Sequence, residues 1–95
     1  MEWHVYLLDC DDRLYTGIST DPARRLQEHA SGKARGAKFT RTASTLTLKY
    51  QVAIGDRSLA SKVEARIKRL PRTRKLDIIN DAPGREELLE FLDLQ

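Results

Sequence analysis

The stretch Tyr15–His29, YTGISTDPARRLQEH, constrains the fold most because it passes directly from a strand pattern into a helix pattern. Leu14–Ile18 alternates in the period of two that is typical of a strand. Asp21 then precedes Pro22, a pair that favours a helix start. The aspartate can cap free N–H groups, and a proline in the first turn needs no N–H. The stretch therefore predicts a strand and a helix joined by a short link.

The predicted helix carries two polar side chains on one face. Arg25 and His29 are four residues apart, a spacing that places one side chain above the other. With Tyr15 on the preceding strand, they bring a phenol, a guanidinium and an imidazole together, a combination that suits phosphate chemistry. The alternative is a surface helix with ordinary solvated charges, and these three residues alone do not decide between the two.

Two further strands are indicated elsewhere in the chain. Trp3–Cys10 predicts a first strand, which a short polar turn joins to Leu14–Ile18 as an antiparallel hairpin. Whether Tyr6 and Tyr15 share a face of this hairpin depends on its register, which stays open at this point. The regular alternation of apolar and polar residues over Leu46–Ile54 predicts the third strand.

Three helices are predicted after the third strand. The first begins with Ser58 as its cap and ends at Pro71, the second runs from Thr73 to about Asn80, and the third, Arg85–Leu94, is acidic and amphipathic. The order β-β-α-β-α-α-α predicts an α+β fold, with a small, three-stranded, mainly antiparallel sheet flanked by helices.

The 95 residues predict a single domain. We expect residues 1–82 to form its body and residues 83–95 to add a peripheral helix, the most dispensable part of the chain. The hydrophobic content of 40% is enough for a folded core. No apolar run approaches the length of a membrane span, and the single cysteine, Cys10, cannot form an internal disulfide. We therefore expect a protein of the reducing cytoplasm that does not contact a membrane.

Positive charge is concentrated in two blocks between acidic ends. Residues 24–41 hold six lysines and arginines against one acid, and residues 57–75 hold eight against one. This pattern favours a polyanionic partner, although helix surface charge without a partner is the alternative. Between the first helix and the third strand, Phe39 lies among basic residues, a mixture that suits contact with a nucleic-acid backbone. These basic residues are Lys33, Arg35, Lys38 and Arg41.

Together, these features resemble the GIY-YIG nuclease domain, a family named for two tripeptides on its first two strands. His4-Val5-Tyr6 stands at the first tripeptide and Tyr15-Thr16-Gly17 at the second, with His4 and Thr16 as departures from the family pattern. The resemblance covers about residues 3–80 and is greatest for the small bacterial branch of single-domain members. Arg25 matches the family's catalytic arginine, and Glu64 matches its metal-binding glutamate.

The resemblance implies a metal-dependent endonuclease that hydrolyses phosphodiester bonds in DNA, including structured or damaged DNA in repair or recombination. It implies one divalent ion, Mg²⁺ or Mn²⁺, bound at Glu64, and no small-molecule cofactor. The residues with implied catalytic roles are Tyr6, Tyr15, Arg25, His29 and Glu64. The residues expected to contact substrate are His4, Gly17, Lys33, Arg35, Lys38 and Arg41.

The implied roles follow the needs of phosphodiester hydrolysis. The two tyrosines would position the attacking water, and a tyrosine acting as base would need a nearby cation, since a free phenol has a pKa of about 10. Arg25, Lys38 or the metal could supply that cation. Two other functions stay open. The chain could be a nucleic-acid-binding module that kept the fold without turnover, or a protein–protein adaptor whose C-terminal helix docks a partner.

Overall fold

The computed structural model describes residues 1–30 and 46–95, and this part of the chain forms an antiparallel sheet in the order β2-β1-β3 with four helices. The strands are β1 (Trp3–Cys10), β2 (Arg13–Ser19) and β3 (Leu46–Gly55). The helices are α1 (Pro22–Ala30), α2 (Arg57–Lys68), α3 (Arg72–Asp81) and α4 (Arg85–Phe91). The predicted α+β class and the order of the elements are confirmed.

The register of the β1–β2 hairpin places both tyrosines on one face of the sheet. Tyr6 pairs with Gly17, and Leu8 pairs with Tyr15. Residues directly opposite each other share a face, so the two tyrosine rings lie diagonally across the strands, with 6.5 Å between their centroids. The two aspartates of the turn have positive φ angles of 52° and 68°, a turn geometry that matches the twist of the flanking strands.

Alternation along β1 sends its side chains into two separate clusters. Val5 and Leu7 belong to the main core, which they form with Tyr50 and Ile54 of β3 and with apolar residues of α2, α3 and α4. The helix residues of this core are Ala60, Val63, Ile67, Ile78, Leu88 and Leu89, and Leu92, which follows α4 as its C-cap, also belongs to it. The opposite face carries Tyr6, Leu8 and Cys10, packed against Tyr15 and against Leu26 of α1. One face of β1 therefore holds the aliphatic core, and the other faces α1.

Aspartates cap the two helices that carry the predicted site residues. At α1 the predicted cap is confirmed, since Asp21 Oδ1 accepts a hydrogen bond from the Arg24 N–H at 3.2 Å. At α2 the predicted cap, Ser58, is wrong. Asp56 has extended backbone angles, and its Oδ1 accepts from the Leu59 N–H at 2.8 Å. Asp56 comes first along the chain and is as good a cap as serine, so the helix begins earlier.

Other helix ends also differ from the prediction. Helix α2 ends at Lys68, and Pro71 instead stands just before the start of α3, without a side-chain hydrogen bond to that helix. The C-terminal helix ends at Phe91, three residues before the predicted end at Leu94. Among residues 1–30 and 46–95, no helix has both the length and the hydropathy that a membrane span requires.

The C-terminal helix α4 packs into the main core. Leu88, Leu89 and Leu92 are each at most 5% exposed, and Arg66 of α2 donates a hydrogen bond to the Leu92 carbonyl at 2.9 Å. This burial argues against the expectation that residues 83–95 are dispensable, because their removal would uncover core side chains. It also weakens the adaptor alternative, since the apolar face that would dock a partner is already covered within the chain.

Candidate active site

A cleft of about 540 Å³ lies beside the edge strand β2, between α1 and α2. Its lining includes Tyr6 from β1, Tyr15 and Gly17 from β2, Arg25 from α1 and Glu64 from α2. The structure therefore brings together residues that are up to 58 positions apart in the chain. His29 does not line the cleft; it is completely buried behind Tyr6.

Local structure aims these side chains at the cleft. The hairpin register places Tyr6 and Tyr15 on the face of the sheet that α1 covers. The Asp21 cap sets the first turn of α1, so Arg25 follows one turn later. On α2, Val63 is buried in the main core, and Glu64, the next residue, turns to the edge of the sheet with 23% of its side chain exposed.

Tyr6 is hydrogen-bonded on two sides. Its Oη lies 3.1 Å from His29 Nε2, and its hydroxyl also hydrogen-bonds to Arg25. A guanidinium can only donate, so Tyr6 accepts from Arg25 and has its own hydrogen free for His29. We therefore assign Tyr6 as the donor to His29 Nε2, which places the imidazole hydrogen on Nδ1.

Burial sets the protonation state of both partners. It raises the pKa of Tyr6 to about 12, assisted by Tyr15, and the hydrogen bond from Arg25 does not offset this effect. Burial also lowers the pKa of His29 below its usual 6.5, and the positive charge of Arg25 lowers it further. The site at neutral pH thus holds a protonated phenol beside a neutral imidazole. The sequence had suggested Arg25 as a cation that could make Tyr6 a base. The raised pKa of Tyr6 shows that Arg25 alone does not do so.

Tyr15 completes this aromatic group. Its ring meets the His29 ring edge-on, with centroids 4.8 Å apart and an angle of 67° between the ring planes. The buried imidazole is therefore held by a hydrogen bond from one tyrosine and by the ring of the other. Because Tyr15 also lines the cleft, it separates His29 from the cleft surface.

A single glutamate holds the two arginines of α1. Glu28 Oε1 lies 3.2 Å from Arg25 Nη1, and Glu28 Oε2 lies 3.7 Å from Arg24 Nε. The two arginine side chains differ in exposure, at 24% for Arg25 and 76% for Arg24. Burial lowers the pKa of Arg25, but its hydrogen bonds to Glu28 and Tyr6 outweigh burial and raise it overall. Arg25 therefore stays charged and is fixed in orientation.

Not every residue predicted to contact substrate reaches the cleft. Gly17 does line it, but a Cβ at this position would lie 2.5 Å from Tyr6 Cζ, so glycine is needed here to make room for the Tyr6 ring. His4 is not among the described residues that line the cleft, and no described residue hydrogen-bonds to its buried Nδ1. The other predicted contacts, Lys33, Arg35, Lys38 and Arg41, lie outside the described residues.

Glu64 fits the role of a single protein ligand to a divalent ion. Its carboxylate lines the open cleft, and Glu64 Oε2 lies 3.4 Å from Lys68 Nζ. In the described part of the chain, no group of three or more His, Cys, Asp or Glu residues forms a ready-made metal cage. Mg²⁺ suits such a setting, because it keeps several waters and takes further oxygen ligands from substrate phosphates.

The cleft also contains residues that the sequence did not lead us to predict as site residues, among them Trp3, Glu28, Arg57 and Ser61. The spacing of Arg57, Ser61 and Glu64 at positions i, i+4 and i+7 places them on one face of α2. That helical periodicity was present in the sequence and could have indicated the α2 wall of the cleft. For Trp3 the sequence offers no comparable signal.

Comparison with known proteins identifies the family. A family model described as the GIY-YIG catalytic domain matches residues 2–77. The chain belongs to this family. The predicted family is thereby confirmed. Membership supports a nuclease-type function with nucleic acid as the partner, and GIY-YIG nucleases generally depend on divalent metals.

Small bacterial relatives match this GIY-YIG protein over almost its whole length. It is 46% identical over 91 residues to a UPF0213 protein of Citrobacter koseri. The match covers 95% of this chain and 89% of that relative. The UPF0213 protein YhbQ of Escherichia coli O8 is 45% identical over the same length and with the same coverage. The solution NMR structure of a UPF0213 protein from Bacillus halodurans is 37% identical, with a TM-score of 0.55 and 93% of each chain covered.

Proposed function

We propose that this GIY-YIG protein is an endonuclease that hydrolyses phosphodiester bonds in DNA and uses one divalent ion, Mg²⁺ or Mn²⁺, at Glu64. The observation that supports this most strongly is the meeting of Tyr6, Tyr15, Arg25 and Glu64 in one cleft, each from a different element. A polar cleft that holds a fixed arginine and the carboxylate of Glu64 contains the groups that phosphate chemistry needs.

Arg25 would bind the phosphate that is cleaved. Its planar guanidinium can donate two parallel hydrogen bonds to phosphate oxygens, which a lysine cannot do. The bonds to Glu28 and Tyr6 hold the guanidinium in place before substrate arrives. Charge that develops on the phosphate in the transition state would then meet a donor that needs no reorganisation.

Tyr6 and His29 would move the proton of the attacking water. With a pKa of about 12, Tyr6 does not act as a base by itself. As the Tyr6 oxygen accepts the hydrogen of the water, its own hydrogen would pass to the neutral Nε2 of His29. His29 then carries the net proton, Tyr6 is unchanged, and the water oxygen bonds to phosphorus as the ester oxygen leaves. Tyr15 keeps the imidazole in place through its edge-on contact.

Glu64 would hold the divalent ion that the family generally requires. A bound ion would supply Lewis-acid stabilisation of phosphate oxygens and lower the pKa of its bound water. Before the ion binds, the ion pair with Lys68 compensates the carboxylate. Within nucleic acids, we propose structured or damaged DNA as the substrate class, which is supported by the resemblance to the family.

The deciding experiment measures Glu64→Gln, which keeps the shape of the side chain and removes its charge. Single-turnover cleavage at saturating Mg²⁺ should fall about 1000-fold, which corresponds to ~4 kcal/mol at 1.36 kcal/mol per decade. DNA affinity in chelator should be equal or higher, since one negative charge leaves the cleft. The free energy of unfolding should change by less than about 0.5 kcal/mol.

Glu90→Gln is the matched control, because Glu90 is an exposed acid on α4 outside the cleft lining. It should leave both affinity and cleavage unchanged. Cleavage by Glu64→Gln within about tenfold of the parent would reject Glu64 as the metal ligand. The substrates should be labelled duplex, flap, junction and single-stranded DNA, each with Mg²⁺ or Mn²⁺. Salt-sensitive binding without cleavage of any of them would instead identify a binding module.

A further inference from the structure

The cleft has a second polar region beside the catalytic residues, formed by Trp3 and Arg57. Arg57 Cζ lies 5.3 Å from the centre of the Trp3 ring, a distance typical of a cation–π contact. Both side chains line the cleft. Trp3 packs against the main core at the start of β1, so the indole is a fixed support for a guanidinium that is otherwise exposed.

Arg57 differs from the other arginines of the cleft in how its charge is balanced. Arg24 and Arg25 both form ion pairs with Glu28. Within residues 1–30 and 46–95, no carboxylate forms an ion pair with Arg57, whose side-chain contact is with Trp3. A guanidinium held on an aromatic ring keeps all its N–H donors for a ligand in the plane of the fork. This arrangement favours an anion in the cleft beside Arg57.

The spacing along α2 suits a nucleic-acid strand. Arg57 and Glu64 line the same cleft and are seven residues apart, which is about 10 Å along the helix axis. A strand that runs along α2 could therefore present one phosphate near Glu64 and another phosphate near Arg57. Ser61 lies between them on the same helix face and also lines the cleft.

We propose that Arg57, held on Trp3, is a second phosphate-binding residue, which binds the substrate strand at a phosphate other than the one that is cleaved. The proposal rests on the proposed function for the location of the cleaved bond, but binding at Arg57 requires no turnover. Arg57 is thus a substrate-binding residue, and Trp3 is a positioning residue that acts through it.

The test is the salt dependence of DNA binding in chelator, where no cleavage occurs. Each phosphate that the protein neutralises in duplex DNA contributes about −0.9 to the slope of log K against log salt. Arg57→Ala should make this slope shallower by about 0.9 and weaken binding about tenfold at low salt. Lys62→Ala is the matched control, since Lys62 is an exposed cation of α2 that does not line the cleft.

The control should leave the slope within about 0.3 of the parent value, because it removes no phosphate contact. Equal slopes and affinities for Arg57→Ala and Lys62→Ala would overturn the proposal. Arg57 is exposed, so its removal leaves the core intact. Loss of binding in this variant therefore does not report loss of folding, and thermal unfolding of both variants checks this.

A double-mutant cycle tests the positioning role of Trp3. Trp3→Leu should weaken binding severalfold in the parent and have no effect in the Arg57→Ala background, while Trp3→Phe should keep most of the affinity, since it keeps a ring under the guanidinium. Trp3 is the single tryptophan, so its fluorescence should also change as DNA is titrated in. Additive effects of Trp3→Leu and Arg57→Ala would reject Trp3 as the support.

The outcomes separate this proposal from the proposed function. If the parent cleaves DNA and Arg57→Ala shows the same slope of log K against log salt as the parent, the nuclease function stands and the second phosphate site fails. If the parent does not cleave DNA but the slope of log K against log salt is shallower by about 0.9 in Arg57→Ala, the phosphate site stands and the nuclease function fails.

Discussion

The two faces of strand β1 differ in what they contact. Val5 and Leu7 point into an aliphatic cluster, where they pack against apolar side chains of three helices and of β3. Tyr6, between them in the sequence, points the other way, to the ring of Tyr15 and the Nε2 of His29. The first face stabilises the fold through the apolar area that it removes from water. The arrangement of the second face depends on individual hydrogen bonds.

The main core and the residues proposed for catalysis therefore lie on opposite faces of one strand. A change in the aliphatic cluster should lower the free energy of unfolding and leave the chemistry of the folded molecules intact. A change at the polar face should slow cleavage, and it should lower stability only where it also disturbs packing or the protonation of a buried group. Four variants test this separation, and they are ordered from the largest expected effect to the smallest.

Leu88→Ala should be the most damaging, because Leu88 is completely buried in the main core. Removing a buried leucine costs about 2–5 kcal/mol, through the lost burial and the cavity left behind. Urea denaturation would measure this loss, and the cleavage rate per folded molecule should stay within about twofold of the parent. Glu90→Ala, at an exposed position of the same helix, is the control and should cost less than about 0.5 kcal/mol. A similarly small loss for Leu88→Ala would restore the view of α4 as dispensable.

Arg25→Lys should slow cleavage at least ~100-fold, roughly 2.7 kcal/mol of transition-state stabilisation, because lysine keeps the charge but loses the planar fork. DNA binding should be nearly unchanged. Single-turnover kinetics and binding in chelator would measure the two effects. Arg24→Lys is the matched control on the same helix, with a side chain that is 76% exposed. Equal losses in the two variants would mean that Arg25 has no special role in the cleft.

Gly17→Ala should disturb the polar face through sterics alone. The added Cβ would collide with the Tyr6 ring and push its hydroxyl away from His29. Overpacking of this kind typically costs about 1–3 kcal/mol of stability, and we expect slower cleavage as well. Gly84→Ala is the comparison, since the nearest described atom beyond its chain neighbours that a Cβ there would meet is Glu87 Oε1, 3.8 Å away. Unchanged stability and cleavage in Gly17→Ala would show that the ring position does not matter.

The smallest effect is a pH dependence of stability that arises from His29. Burial and the charge of Arg25 lower the pKa of His29 in the folded state below its unfolded value of about 6.5. The unfolded chain therefore binds more protons in the window below 6.5, and stability falls as the pH falls through it. One such group changes the free energy of unfolding by at most about 1.4 kcal/mol per pH unit.

His29→Gln removes the titrating group and keeps an oxygen that can accept from Tyr6. Its unfolding free energy should depend less on pH below 6.5 than that of the parent, as followed by urea denaturation at a series of pH values. Identical pH dependence in the two proteins would mean that His29 has the same pKa folded and unfolded.

Local signals in the sequence predicted most of the secondary structure. The alternation over Trp3–Cys10 and Leu46–Ile54 predicted two strands, which the structure confirms within one residue. Asp21 before Pro22 predicted the start of α1 correctly. Such signals succeed because strand alternation and helix capping depend on neighbours within a few positions. Ser58 was the wrong cap for α2 because two good caps stand two residues apart, and Asp56 comes first.

The sequence by itself therefore determined the elements, their order and the residues available for chemistry. Only the tertiary structure decided the register that puts Tyr6 beside Tyr15, the burial of His29, the pairing of Arg57 with Trp3 and the use of α4 in the core. These features depend on side chains that are 9 to 87 positions apart in the chain. The pKa of Tyr6 shows the physical reason most clearly, since burial by distant parts of the chain raises it to about 12, although Arg25 opposes the change.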